Sequence, residues 1–237
     1  MSEEVSTAFQ AGLTHFGIAE SAAAFLRYRD ELLAWNSRFN LTAIKDPEEV
    51  LLKHFLDSLT LLQVYDQPGA IHVLDIGTGP GFPGLPLKIA RPDWHVTLIE
   101  ATGKKTTFLR HIVDTLQLTN VEVLNVRAEE LAHKSPYRAQ FDLVTARAVA
   151  ALPTLLECSA PFCRPGGTII LPKKGELADE IKQGKRTAFR VGSHFQQDIE
   201  VTIPGLDDGR RLLVWEQQRL CPPQYPRSWA AMTKQPL

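Results

Sequence analysis

The chain has 237 residues, 44% of them hydrophobic and 22% charged, enough to bury a full core without disulfides or a structural metal. That balance excludes collagen-like, coiled-coil and disordered classes. With 26 basic and 27 acidic side chains the net charge is −1, so bulk charge draws the protein to no polyanion. The net charge is −5 over residues 1–70, +3 over 71–175 and +1 over 176–237, so nucleic-acid binding would require a local patch. Cys158, Cys163 and Cys221 form no CxxC pair and read as free thiols of a reducing compartment. The acidic start MSEEVSTAFQ lacks a signal peptide's apolar stretch, and no apolar run approaches the ~20 residues a bilayer requires. A cytoplasmic protein without membrane association is expected.

Residues 20–39 carry Phe25, Leu26, Leu32, Leu33 and Trp35 between polar residues, which suits an amphipathic helix. Residues 46–65 open on Asp46-Pro47-Glu48-Glu49, a cap, a first-turn proline and two acids, and continue with leucines and Phe55 at helical spacing. Strand and helix patterns then alternate. Strands are expected at Ile71–Ile76, Val96–Ile99, Val121–Val126, Phe141–Ala146 and Thr168–Leu171, with helices at Leu85–Ala90, Lys104–Leu118 and Pro153–Pro161. Such alternation implies right-handed crossovers and a parallel, doubly wound α/β sheet. A helix at Glu176–Lys185 follows. Ile199–Ile203 and Leu212–Trp215 then form an antiparallel pair around the turn Gly205–Gly209, making seven strands. The tail CPPQYPRSWAAMTKQPL, with 4 of the 16 prolines, reads as an extended arm. The expected organisation is a helical cap over 1–68, a Rossmann-like core over 69–220 and a tail over 221–237, forming one structural unit.

The stretch Val73–Gly84 carries the chemistry. A buried strand runs into Asp75 and then into Gly77, Gly79, Gly81 and Gly84, where positive φ and close ligand approach are available. At the switch point of a doubly wound sheet such a turn holds a ligand. Residues 79–84 match GxGxxG, but Pro80, Pro83 and Pro86 remove N–H groups that a pyrophosphate needs, and Asp75 adds negative charge. The pattern favours the cationic S-adenosylmethionine over NAD; a ligand-free tight turn is the third reading. Glu100, at the end of the second strand, suits ribose hydroxyls in either cofactor. Phe82 reads equally as a contact to cofactor or base and as core.

These residues, with Asn40-Leu41-Thr42, Lys53–Leu59, Lys104-Lys105 before Phe108-Leu109, Arg127-Ala128-Glu129 and Ala146-Arg147-Ala148, resemble the guanine-N7 methyltransferases of 16S ribosomal RNA, the glucose-inhibited division protein B family. The resemblance covers roughly residues 30–218. It implies a class I methyltransferase fold with an N-terminal helical cap and a mostly parallel seven-stranded sheet. It also implies S-adenosylmethionine contacts at Gly77, Phe82, Ala128, Glu129 and Arg147, beside Asp75, Gly79, Gly81 and Glu100. The substrate it implies is one guanine of the small ribosomal subunit or its RNA. Tyr225-Pro226-Arg227 and Lys234–Leu237 are similar to the tail of a family subset, whereas Ser228–Thr233 departs from it.

Guanine N7 carries a lone pair and no proton, so methylation there needs alignment rather than a general base. Arg127 and Arg147 are therefore assigned to positioning. Lys104, Lys105, Arg110, Lys173, Lys174 and Arg227 are assigned to RNA contact. Thr145-Ala146-Arg147-Ala148 stands where an exocyclic-amine enzyme would carry an Asn/Asp-Pro-Pro-aromatic segment. Cys158 and Cys163 read as structural thiols rather than carbon-5 nucleophiles. The seven histidines show no metal-ligand spacing, so no metal is expected. Lys53 and Asp57, four apart, form either a surface ion pair beside a half-buried His54 or, with His54, the mouth of the cofactor cleft. A small-molecule or protein methyltransferase and a non-catalytic RNA-binding factor remain as alternatives. Nothing in the sequence demands more than a monomer.

Overall fold

A computed structural model describes residues 6–147, 150–203 and 206–237, and the side chains of all of these except 203, 206 and 207. Seven strands form one sheet in the order β3-β2-β1-β4-β5-β7-β6. They are β1 His72–Ile76, β2 His95–Ile99, β3 Val121–Leu124, β4 Phe141–Ala146, β5 Cys163–Lys174, β6 Ser193–Ile203 and β7 Leu206–Gln217. The first five run parallel and β7 runs against both its neighbours. The α/β class, the seven strands and the mostly parallel sheet are thus as the sequence indicates.

Strand alternation divides the interior. Val73, Val96, Leu98 and Leu143 face one apolar cluster, while Leu74, Ile76, Ile99 and Val144 face another. Both faces are buried, as a parallel sheet requires. Chain order reverses between β1 and β4, so the carboxyl ends of these two strands border a crevice.

Helices α1 Thr7–His15, α2 Ala22–Phe39, α3 Pro47–Val50 and α4 Asp57–Leu59 precede the sheet. Asp46 caps α3 by accepting the Glu49 N–H at 2.9 Å. Phe9, Phe25 and Phe55 pack edge-on or tilted at 5.3–6.4 Å. Tyr28 continues this cluster to Phe82 and Phe108 of the sheet region, and its hydroxyl donates to the Pro80 carbonyl. α1 is not among the helices expected from sequence. The helix expected over 46–65 is interrupted, because Leu51–Leu56 forms a π-helical segment between α3 and α4. Lys53 pairs back to Glu49 and not forward to Asp57, whose carboxylate is taken by Arg147 and Arg210.

The crossover helices are α5 Gly84–Ala90, α6 Gly103–Thr115, the short α7 Ala128–Leu131, α8 Leu152–Ser159 and α9 Ala178–Val191. α9 extends beyond the expected Lys185 to a left-handed Gly192 cap, because Thr187, Ala188 and Val191 have buried positions to fill. The tail is not only an extended arm. Residues Trp229–Lys234 form α10, capped by Ser228 and anchored by the buried Met232. Six residues give too little periodicity to register in sequence, and so short a helix persists through tertiary contact. Ala148 of the family motif and Gly205 of the expected turn lie outside the described residues, while Gly209 lies within β7. Among the described residues no helix is long and apolar enough to cross a membrane.

Candidate active site

A cavity of about 270 Å³ opens at the strand carboxyl ends. Ile76 and Gly77 enter it from β1, Ile99 and Glu100 from β2, and Val126 to Glu129 from the β3–α7 connection. Arg147 follows β4, Cys158 comes from α8, and Trp229 reaches in from α10. Beside it lies a second cavity of about 370 Å³, lined by Lys53, His54 and Asp57 of the cap, Pro172, Lys173 and Lys174 of β5, and Arg210 of β7. Arg147 lines both cavities.

The glycine turn does two separate jobs. Gly77 and Gly79 hold φ of 64° and 61°; Gly77 lines the cavity, whereas Gly79, expected to contact the cofactor, lies off its wall although a Cβ there would meet nothing within 4 Å. Gly81 does not face the cavity. A Cβ there would stand 2.2 Å from the Tyr28 hydroxyl, so its lack of a side chain serves cap packing, a correction to its expected cofactor contact. Phe82 is likewise buried against Tyr28, His54 and Phe55, so its core reading prevails over direct cofactor contact.

Asp75 also departs from expectation, because it lies fully buried beneath the turn and off the cavity wall. Its Oδ2 accepts from the Thr78 hydroxyl at 2.6 Å and the Gly84 N–H at 2.8 Å. Oδ1 has no hydrogen-bond partner among the described residues. Burial pushes the carboxyl up to about 6, against the opposing pull of the Thr78 and Gly84 hydrogen bonds. Asp75 therefore shapes the turn. The carboxylates on the wall are Glu100 and Glu129. Glu100 accepts the Gly79 N–H at 3.1 Å and the Thr102 N–H at 2.7 Å, one on each oxygen, leaving each oxygen further acceptor capacity.

At the boundary of the two cavities, Arg147 donates to Asp57 Oδ2 at 2.6 Å and to His54 Nδ1 at 3.3 Å. Arg210 pairs with the other oxygen of Asp57. The guanidinium of Arg147 lies 5.2 Å from the Phe82 ring centre, and His54 stacks on the same ring at 4.5 Å. His54 Nε2 meets the Thr42 hydroxyl at 2.8 Å, which assigns the proton to Nε2 because Nδ1 receives Arg147. Burial, reinforced by Arg147 and Arg210, lowers His54 to about 3. The imidazole is neutral at ordinary pH, and both its nitrogens are engaged. Neither reading of Lys53-His54-Asp57 describes them as stated: Lys53 pairs with Glu49, and the three side chains line the second cavity rather than the first.

The remaining expected residues divide. Arg127, Ala128 and Glu129 line the first cavity. Lys173 and Lys174 line the second but are paired with Glu180 and Asp208 at 2.7 Å each. Lys104, Lys105 and Arg110 sit on α6, outside both cavities; Lys104 and Arg110 are exposed and Lys105 is half-buried. Arg227 is a correction. Its guanidinium holds the buried Glu157 at 2.8 and 2.7 Å, so the expected RNA contact gives way to an internal ion pair. Sequence reasoning missed Arg210 and Trp229. Arg210 enters only through the strand order, and Trp229 sits in a tail without periodicity.

The chain is similar to known proteins along most of its length. Residues 21–213 match the family model described as "GidB: rRNA small subunit methyltransferase G". A protein of that name from Dehalococcoides mccartyi is 42% identical over 229 residues, covering 95% of this chain and 97% of that protein. One from Roseiflexus is 44% identical over 214 residues, covering 90% of each. Among solved structures, the M. jannaschii TYW2 in complex with AdoMet superposes with a TM-score of 0.54 at 16% identity, over 68% of this chain and 76% of that one. The [4+2]-cyclase SpnF gives 0.55 at 15%, over 69% and 81%. Likenesses as distant as these two carry the fold alone.

Proposed function

The chain belongs to the rRNA small subunit methyltransferase G family, an S-adenosylmethionine-dependent one, and from that premise we propose that it methylates N7 of one guanine in 16S ribosomal RNA without a general base. The observation that carries this reading is Arg147, which forms a wall common to the glycine-turn cavity and the cationic second cavity. Two ligands that must exchange a methyl group have to meet at such a shared wall.

The first cavity fits the cofactor. Gly77 borders it without a side chain, Glu100 has lone pairs for ribose hydroxyls, and Ala128 and Glu129 close the β3 side. When bound, S-adenosylmethionine supplies an electrophilic methyl on a sulfonium. The two wall carboxylates favour a cation more than a diphosphate, the role first given to Asp75. Asp57 fixes Arg147, Phe82 and His54 fix the guanidinium plane, and Arg147 with Arg127 positions the acceptor. His54 and Lys173 are engaged in hydrogen bonds, in keeping with a nucleophile that carries no proton. In this reading the cap, core and tail work as one monomeric, cytoplasmic unit on the small subunit.

Calorimetry tests the cofactor assignment. S-adenosylmethionine is expected to bind and raise the melting temperature, and NADH to do neither. Gly77→Asp places a third carboxylate and a strained φ at the wall, and cofactor affinity should fall by about 100-fold or more. Unchanged affinity would remove the turn from the site.

Lys104 and Lys105 make no ion pair among the described residues and stand at the start of α6, beside the strand ends. Lys104→Ala with Lys105→Ala is expected to weaken small-subunit binding and to flatten its dependence on salt by a slope of about 1 to 2. Cofactor affinity should not change. An unaltered salt slope would place the RNA elsewhere.

A further inference from the structure

The matched family segment ends at residue 213, yet a wall of the cofactor cavity comes from beyond it. Trp229 is half-buried at that wall. It packs against the apolar cluster that contains Ala128 and Cys158, which puts it on the sheet face carrying α7 and α8. Arg147, where the acceptor must meet the methyl group, marks the end of the cavity that borders the second one. The β3 side, with Ala128 and Glu129, is left for the nucleoside.

The tail is held in place rather than draped. Glu157, with 1% of its side chain exposed, takes three hydrogen bonds from the backbone and guanidinium of Arg227. Arg138 donates to the carbonyls of Cys221, Pro222 and Tyr225. Thr154 of α8 donates to the Met232 carbonyl at 3.2 Å. Glu157 precedes Cys158 on α8, so one short helix both clamps the tail and contributes its own wall residue.

We propose that Trp229 is a cofactor-binding residue whose indole face packs on the adenine ring of S-adenosylmethionine, so that docking of the C-terminal tail completes the cofactor site. This rests on the assignment of the first cavity to that cofactor. A flat apolar wall among acceptors is suited to a purine, and an indole is the largest such face a protein has.

Titration of the full chain with S-adenosylhomocysteine, by calorimetry and by tryptophan fluorescence, tests it. Trp229→Ala is expected to raise Kd about 10- to 30-fold, and Trp229→Phe, which keeps an aromatic face, by no more than about threefold. Free adenosine should lose affinity by the same factor. Ligand quenching of the fluorescence should disappear in Trp229→Phe, a signal that a merely structural role would not move. Wild-type affinity in Trp229→Ala, or quenching retained in Trp229→Phe, would overturn the proposal and leave the cofactor assignment standing. No binding by the wild-type chain would overturn that assignment and the proposal with it. The phenylalanine variant keeps the test valid if the alanine variant fails to fold.

Discussion

Arg147→Ala is expected to lower kcat for methyl transfer about 100-fold while the chain stays folded, because an acceptor misplaced by even an ångström loses about that factor. Asp57 retains Arg210 in that variant, so no buried charge is stranded. The cofactor Kd should move less than about fivefold, since Arg147 is one of many residues on that wall while the acceptor depends on it directly. Lysine should not restore the rate. Its ammonium is a point charge and cannot hold Asp57 and His54 at once from a plane lying over Phe82. Single-turnover kinetics on small subunits separates the two quantities. A wild-type rate in Arg147→Ala would dismiss the residue from the reaction.

The second large effect falls on stability. Asp57 is the common acceptor for Arg147 and Arg210, and the three side chains are only 9%, 16% and 15% exposed. Removing it leaves Arg147 without a carboxylate partner in a poorly solvated pocket while Arg210 keeps Asp208, a loss of about 3–5 kcal/mol for a buried pair broken on one side. In a chain of this length that corresponds to a melting temperature lower by about 6–20 °C. Asp57→Ala should therefore lose both stability and activity. Adding Arg147→Ala to it should cost less than the sum of the two single changes, because the second change removes the charge left unpaired by the first. Urea denaturation of the four proteins of the cycle measures this. Strict additivity would mean that the residues do not act as one cluster.

What the sequence disclosed follows from how local each signal was. Val73 to Ile76 running into Gly77 announced a buried strand and a ligand turn, because both rest on adjacent residues. Asp46-Pro47-Glu48-Glu49 announced a helix start for the same reason. Features set by distant contacts were not legible. The Gly81 approach depends on Tyr28, more than fifty residues earlier, so a cofactor glycine and a packing glycine look alike in the motif. Asp75 points under the turn because Thr78 and Gly84 draw one oxygen there, which spacing cannot say. Lys53 and Asp57 are four apart, but Glu49 takes the lysine while Arg147 and Arg210, brought from distant strands, take the carboxylate. Arg227 looked like a free tail cation until the fold placed the buried Glu157 opposite it.

Incubation of the protein with labelled S-adenosylmethionine and small ribosomal subunits from cells that lack it, followed by mass analysis of the RNA nucleosides, decides whether the guanine N7 is the acceptor. One labelled 7-methylguanosine per subunit RNA is expected, and about a hundredth of that label at early matched times when Arg147→Ala replaces the wild type. Label in another nucleoside, or none in the RNA while the cofactor binds normally, would contradict N7 methylation.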